Sequence, residues 1–299
     1  MLLQLINDIA DLLGPRFGYG SVYLTGVRNT LVLAVSATAI GCVIGFICGI
    51  LRTIPVAPTD GAVKKFFIGL LKALIRIYVE VFRGTPMILQ AVFVYYGLPY
   101  FTNQQLQFTG MWSVALVVVS INTGAYMAES VRGGILSIDI GQTEGAKAIG
   151  MTHFQTMTNV ILPQALRNII PQIGNNLIIN IKDTSVMFII GFLDFFAVHK
   201  MATGATFKYF PSAAFEMVIY LCMTLTASVL LRWMERKMDG SDSYELVNDD
   251  QLVMTAGTYS LPRTGSPFDE ASKEFSGPGL IRAEAAGFGE NQGGEEDAR

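Results

Sequence analysis

The chain has 299 residues, of which 51% are hydrophobic and only 15% charged. Soluble domains carry about 25% charged residues, so the composition excludes an ordinary soluble domain and points to a membrane protein. The formal net charge of -3 hides a segregation: Met1 to Asp239 holds 17 basic and 12 acidic residues, a net of +5, and Gly240 to Arg299 holds 4 and 12, a net of -8.

Residues 1–20 read as a short amphipathic lead-in, interrupted by Asn7, Asp8 and Asp11 and lacking the basic start of a signal peptide. From Asn29 to Leu51 there is no charged residue, enough chain for a first span. Gly41, Gly45 and Gly49 recur at every fourth position within it, and such a strip lets another helix backbone approach closely. Val63 to Gly84 places Lys72, Arg76, Glu80 and Arg83 on one helix face and Phe, Leu and Ile on the other, which describes a basic amphipathic helix at a membrane surface. The charge-free run between Arg83 and Glu129, broken by Asn103 to Gln107, predicts a hairpin of two spans, 85–101 and 111–133. Further spans are expected at 171–196 and 209–233, which makes five.

Basic residues collect between Arg52 and Arg83 and at Arg132, Lys147, Arg167, Arg232, Arg236 and Lys237, whereas the loop at Thr102 to Gly110 has none. The positive-inside rule then sets the N-terminus outside and the tail in the cytoplasm. The organisation expected is a lead-in at 1–20, a transmembrane body at 21–239 with a cytoplasmic loop at 134–170, and a disordered acidic tail at 240–299.

There is no phosphate-binding G-x-x-x-x-G-K-[ST] loop, no G-x-S-x-G elbow and no H-E-x-x-H, so no cofactor, metal or catalytic site is expected on this chain. Polar side chains inside spans are the functional candidates, because hydrocarbon makes them costly. Asn122, Tyr126 and Glu129 share one helix face; Asn176, Asn180 and Asp183 share another, with Lys182 adjacent. One carboxylate and one ammonium suit a zwitterionic amino acid. The other reading is that Lys182 and Asp183 pair with each other, or with Glu129, merely to satisfy buried charge.

An EAA-like segment and three further separated motifs carry a family resemblance. The segment Glu144 to Gly150, EGAKAIG, followed by Val160 to Pro163, VILP, resembles the EAA signature of binding-protein-dependent ABC importer permeases. YVEVFRGTP (Tyr78 to Pro86), NTGAYMAESVRGGI (Asn122 to Ile135) and KDTSV (Lys182 to Val186) resemble the polar amino acid subfamily. The resemblance implies an all-α permease fold of the type I importer kind with about five transmembrane helices, in a bacterial cytoplasmic membrane. It implies a second permease subunit, cytoplasmic ATPase subunits that use ATP and Mg, a solute-binding protein outside, and no nucleic acid partner. It assigns ATPase coupling to Glu144, Gly145, Ala146, Lys147, Gly150, Leu162 and Pro163, on a short coupling helix seated in a groove of the ATPase. Gly145 departs from the signature's alanine, and Val160 from its isoleucine; glycine in a helix interior costs about 1 kcal/mol against alanine. The reading from another class is an ion-coupled carrier or channel for small polar solutes. Against it stands the lack of a repeated pair of broken spans.

Overall fold

The computed structural model describes residues 1–56 and 60–238, and every element among them is a helix. The expected tail at 240–299 lies outside the described residues. In chain order the α-helices are α1 (Leu2–Leu13), α2 (Gly20–Thr53), α3 (Ala62–Gly84), α4 (Met87–Val92), α5 (Leu98–Phe101), α6 (Met111–Leu136), α7 (Ile140–Ala148), α8 (His153–Thr156), α9 (Leu162–Asp183), α10 (Phe195–Thr206) and α11 (Tyr209–Met238). Short π turns join α4 to α5 and α8 to α9, and a 3-10 segment, Thr184–Ile190, extends α9.

The centre of the bundle is the parallel seam of α2 and α6. Gly41 faces Thr123, Gly45 faces Met127 and Ala128, and Gly49 faces Val131, so contacts advance together along both helices. A methyl group has no room there: a Cβ on Gly41 or on Gly49 would lie 2.6 Å from the side chain opposite. The glycine strip is therefore a packing surface. Leu33, Ala37, Val114, Ala115, Val118 and Met187 form the apolar core at one end of it, and Met127, Val131, Ile161, Ala165 and Ile169 at the other. Several hydroxyls inside the apolar helices are satisfied locally, as where Thr38 Oγ1 donates to the Ala34 carbonyl at 2.7 Å.

The expected apolar segments are all helical, but they are not five straight spans. Gly20–Thr53, Met111–Leu136 and Tyr209–Lys237 are long and apolar enough to cross a membrane unaided. The segment expected at 85–101 is a shorter helical stretch, Met87–Phe101. The one expected at 171–196 belongs to a helical run from His153 to Ile190 that bends by 51° into α10. Pro171 does not start a span, because α9 runs through it.

Prolines explain the π turns. Proline brings no N–H and its ring collides with the carbonyl four residues back. Before Pro99 and before Pro163 the preceding turn is widened, with Leu98 N–H donating to Phe93 O and Leu162 N–H to Met157 O.

The lead-in forms an amphipathic helix, α1, whose Leu12 is buried. Lys208, just before α11, ties it down, donating to Asp8 Oδ1 at 2.7 Å and to Asp11 Oδ2 at 3.2 Å. The hydrogen bond from Lys208 holds the Asp11 carboxyl below its ordinary range.

The seam gives a direct test. Gly45→Ala should destabilise the protein by about 1–3 kcal/mol through overpacking, read as a lower thermal midpoint in detergent. Gly69→Ala on α3, where a Cβ meets nothing within 4 Å, should leave the midpoint unchanged or raise it.

Candidate functional site

Between α3 and α4 the chain breaks at Thr85 and Pro86, because the residue before a proline is pushed out of the helical region; Thr85 is extended, with φ -119° and ψ 144°. The break leaves carbonyls without helical donors, and these must be served inside the protein. Gln90 does this from the first turns of α4. Its Nε2 donates to Phe82 O and Thr85 O, each at 3.0 Å, and to Thr85 Oγ1 at 2.9 Å. Asn122 on α6 completes the patch, donating to Phe82 O at 3.0 Å and to Gln90 Oε1 at 3.2 Å.

That broken segment forms one wall of a cavity of about 440 Å³. Arg83 to Met87 line it on one side, Asn122, Thr123 and Tyr126 of α6 on the second, and Asn176, Ile179, Asn180 and Asp183 of α9 on the third. α9 runs antiparallel to α6, so Asn180 meets Thr123 and Asn176 meets Met127. Asn180 is buried and fixed, its Nδ2 donating to Thr38 Oγ1 at 2.8 Å and to Thr123 Oγ1 at 2.9 Å. Asn176 is held by Gln172 O at 2.8 Å and by the Met127 sulfur at 3.3 Å.

Of the residues singled out in the sequence, Asn122, Tyr126, Asn176, Asn180 and Asp183 come together here. Glu129 and Lys182 do not line this cavity. Glu129 sits one turn beyond, where its carboxylate accepts from Arg52 Nη1 at 2.6 Å and Arg132 Nη1 at 3.2 Å, with Arg83 Nη1 at 4.0 Å. It therefore pairs with arginines from α2, α3 and α6, and with neither Lys182 nor Asp183. Successive helix residues point about 100° apart, so Lys182 faces a different cavity, with Ser185, Phe196, Glu216 and Tyr220. Lys182 and Asp183 form no ion pair with each other, and one ligand in the 440 Å³ cavity would meet only Asp183 of the two.

The cation on the cavity wall is Arg83, whose guanidinium lies over the Tyr126 ring at 5.2 Å from the centroid. Sequence reasoning quoted Arg83 within a motif but placed it on a surface helix face. The signal available was the Thr85–Pro86 pair just after it, which ends α3 and leaves Arg83 beside the break that walls the cavity.

The stretch around Glu144 forms a second, separate feature. Asp139 caps α7, accepting from the Gly141 N–H at 2.6 Å. Ala146 is its only buried residue. Glu144, Gly145, Lys147, Ile149 and Gly150 are exposed. Gly150 closes the helix with φ +85°, a left-handed turn natural to glycine, while Met151 N–H returns to Ala146 O at 3.1 Å. Leu162 packs against the cluster of Ile161 and Ala165, and Pro163 opens α9.

The family model for the binding-protein-dependent transport system inner membrane component matches residues 61–240. The chain belongs to that family. It is similar to the glutamine transport system permease protein GlnP of Escherichia coli (strain K12), 35% identical over 215 residues, covering 72% of this chain and 92% of that one. The arginine transport system permease protein ArtQ of Bacillus subtilis (strain 168) is 34% identical over 219 residues, 73% of this chain and 93% of that one. A chain of the crystal structure of an amino acid ABC transporter with histidines aligns with a TM-score of 0.65 at 32% identity, covering 73% of this chain and 95% of its own length. An inward-facing structure of the MetNI methionine ABC transporter, at 19% identity and a TM-score of 0.60 over 73% of this chain and 97% of its own, shares the fold. The family is one of membrane transport components, so the protein is an all-α ABC importer permease, located in a membrane.

The α7 element yields a prediction. A Cβ on Gly145 meets nothing within 4 Å, whereas Gly150 holds a positive φ. Gly145→Ala should raise amide hydrogen-exchange protection in 140–149 about fivefold, from a helix propensity gain of about 1 kcal/mol. Gly150→Ala should lower it.

Proposed function

We propose that this chain is the translocating subunit for a polar amino acid, paired with a second permease chain and driven by ATP hydrolysis on separate ATPase subunits. The observation that carries the reading is the 440 Å³ cavity, with the Arg83 guanidinium on one wall and the Asp183 carboxylate on another. The α-carboxylate of an amino acid pairs with Arg83, and its ammonium with Asp183. Asn122, Asn176 and Asn180 supply amide groups around the remaining polar atoms. The similarity to glutamine and arginine transport permeases supports an amino acid as the cargo.

The broken backbone at Gly84 to Pro86 supports a passage as well. Irregular backbone within a membrane is tolerated where it lines a protein cavity, and transporters place substrate sites at such breaks. Energy reaches this chain from outside it. Glu144, Gly145, Lys147 and Gly150, exposed around the buried Ala146, form the coupling element, and Leu162 and Pro163 anchor it to α9. ATP and Mg are bound by the ATPase, whose closure moves α7, and through α9 the cavity walls, by rigid-body rocking. A solute-binding protein delivers the amino acid at the outer face, the N-terminus being outside and the tail at 240–299 in the cytoplasm.

Replacing Asp183 by Asn removes the charge that meets the ammonium while keeping the side chain's size. In proteoliposomes holding the assembled transporter, uptake should fall at least roughly tenfold, the scale of a lost charge-assisted hydrogen bond, with assembly unchanged by size-exclusion chromatography. Wild-type uptake by Asp183→Asn would contradict the assignment.

A further inference from the structure

A second polar cavity, of about 370 Å³, is separate from the amino acid cavity and plays no part in the transport reading. It is lined by Arg52, Gly69, Lys72, Ala73, Arg76 and Arg132, so four of its six lining residues are cationic. They come from three helices: Arg52 from the last turn of α2, Arg132 from the last turns of α6, and the others from α3. One carboxylate touches the group. Glu129 accepts from Arg52 and Arg132, and is itself shared with Arg83. Lys72 Nζ donates to Ile54 O at 2.6 Å and keeps its charge uncompensated. Arg76 is exposed and has no hydrogen-bond or ion-pair partner among the described residues; Glu80, one turn on, does not pair with it. Gly69 and Ala73 keep the floor of the cavity open, since a Cβ on Gly69 would meet nothing within 4 Å.

The position of this charge says what fills it. Arg52 ends the 34-residue apolar helix α2, at the level where hydrocarbon gives way to headgroups. Beside the cationic face, α3 turns Phe66, Leu70, Leu74 and Ile77 outward, all exposed. A ligand that satisfies both surfaces carries a phosphate and apolar chains together.

We propose that this cavity binds the phosphate headgroup of an anionic membrane lipid, with Arg76 and Lys72 gripping the phosphate and the acyl chains lying along Phe66, Leu70, Leu74 and Ile77. Arg52 and Arg132, already bound to Glu129, add field and hold the cavity's shape. The lipid adds to the apolar cluster of Ile75, Val79, Cys48, Leu51 and Ala128 that already joins α3 to α2 and α6.

The test uses the full chain, purified in detergent and stripped of lipid, with native mass spectrometry and titrations of phosphatidylglycerol, phosphatidylcholine and inorganic phosphate. Phosphatidylglycerol should bind in preference to phosphatidylcholine. Arg76→Gln should weaken phosphatidylglycerol about fivefold, from a basic residue's contribution of about 1 kcal/mol near an anionic surface, while Arg76→Lys retains most of the affinity. Arg236→Gln, an equal loss of charge on α11 outside the cavity, should change nothing. Equal affinity for the two lipids, or equal losses in Arg76→Gln and Arg236→Gln, would overturn the proposal. Displacement of phosphatidylglycerol by equimolar inorganic phosphate would assign the cavity to a soluble anion and overturn the lipid as occupant. Arg76 is exposed and unpartnered, so its substitution leaves folding intact, checked by an unchanged thermal midpoint.

Discussion

α2 and α6 lie closer than side chains would allow, and the placement of nearly everything polar follows from that approach. With Gly41, Gly45 and Gly49 carrying no Cβ, Thr123, Met127 and Val131 press directly onto the α2 backbone. α6 is thereby fixed in rotation, which turns Asn122 and Tyr126 toward α3 and α9. Helices in a membrane gain little from burying apolar surface against one another, since lipid is equally apolar, so close packing and interhelical hydrogen bonds must supply the association. Both operate here: the seam supplies packing, and Asn180 bonds across to Thr38 of α2 and Thr123 of α6.

The charged groups follow the same frame. Glu129 stands where α2, α3 and α6 converge and is surrounded by Arg52, Arg83 and Arg132. Three cations on one carboxylate leave positive charge over, and it is distributed to two places: Arg83 reaches the wall of the 440 Å³ cavity, while Arg52 and Arg132 line the 370 Å³ one. A single carboxylate thus organises two cavities without lining either. Removing it would leave three guanidiniums to repel one another.

Much of this was legible in the sequence. Charge-free runs located the apolar helices, the four-residue glycine period marked the seam, and asparagine spacing on α6 and α9 placed five residues that do converge. What the sequence did not reveal has physical causes. Periodicity assigns residues to a face of a regular helix, and it fails where the helix breaks or bends. Thr85 and Pro86 break the helix after Arg83, so the arginine of the cavity was read as part of a surface stripe. Lys182 and Asp183 are adjacent in sequence, and a helix sends adjacent side chains in different directions, so their chemical complementarity did not make them one site. A span was expected to begin at Pro171, but Pro163 opens α9 after a widened turn and the helix runs on through Pro171. Gly150, by contrast, was legible as a motif residue, and the structure adds that it is a positive-φ helix end.

α7 and the 440 Å³ cavity lie on different parts of the chain, with α9 lining the cavity, and in the proposed function energy enters at α7 and appears as movement of the cavity walls. The most direct measurement is amino acid uptake into proteoliposomes, with and without the ATPase subunit and solute-binding protein, under ATP or under an imposed ion gradient. Uptake that requires both added proteins and ATP is the result predicted. Uptake driven by the ion gradient alone, with this chain as the sole protein present, would contradict it.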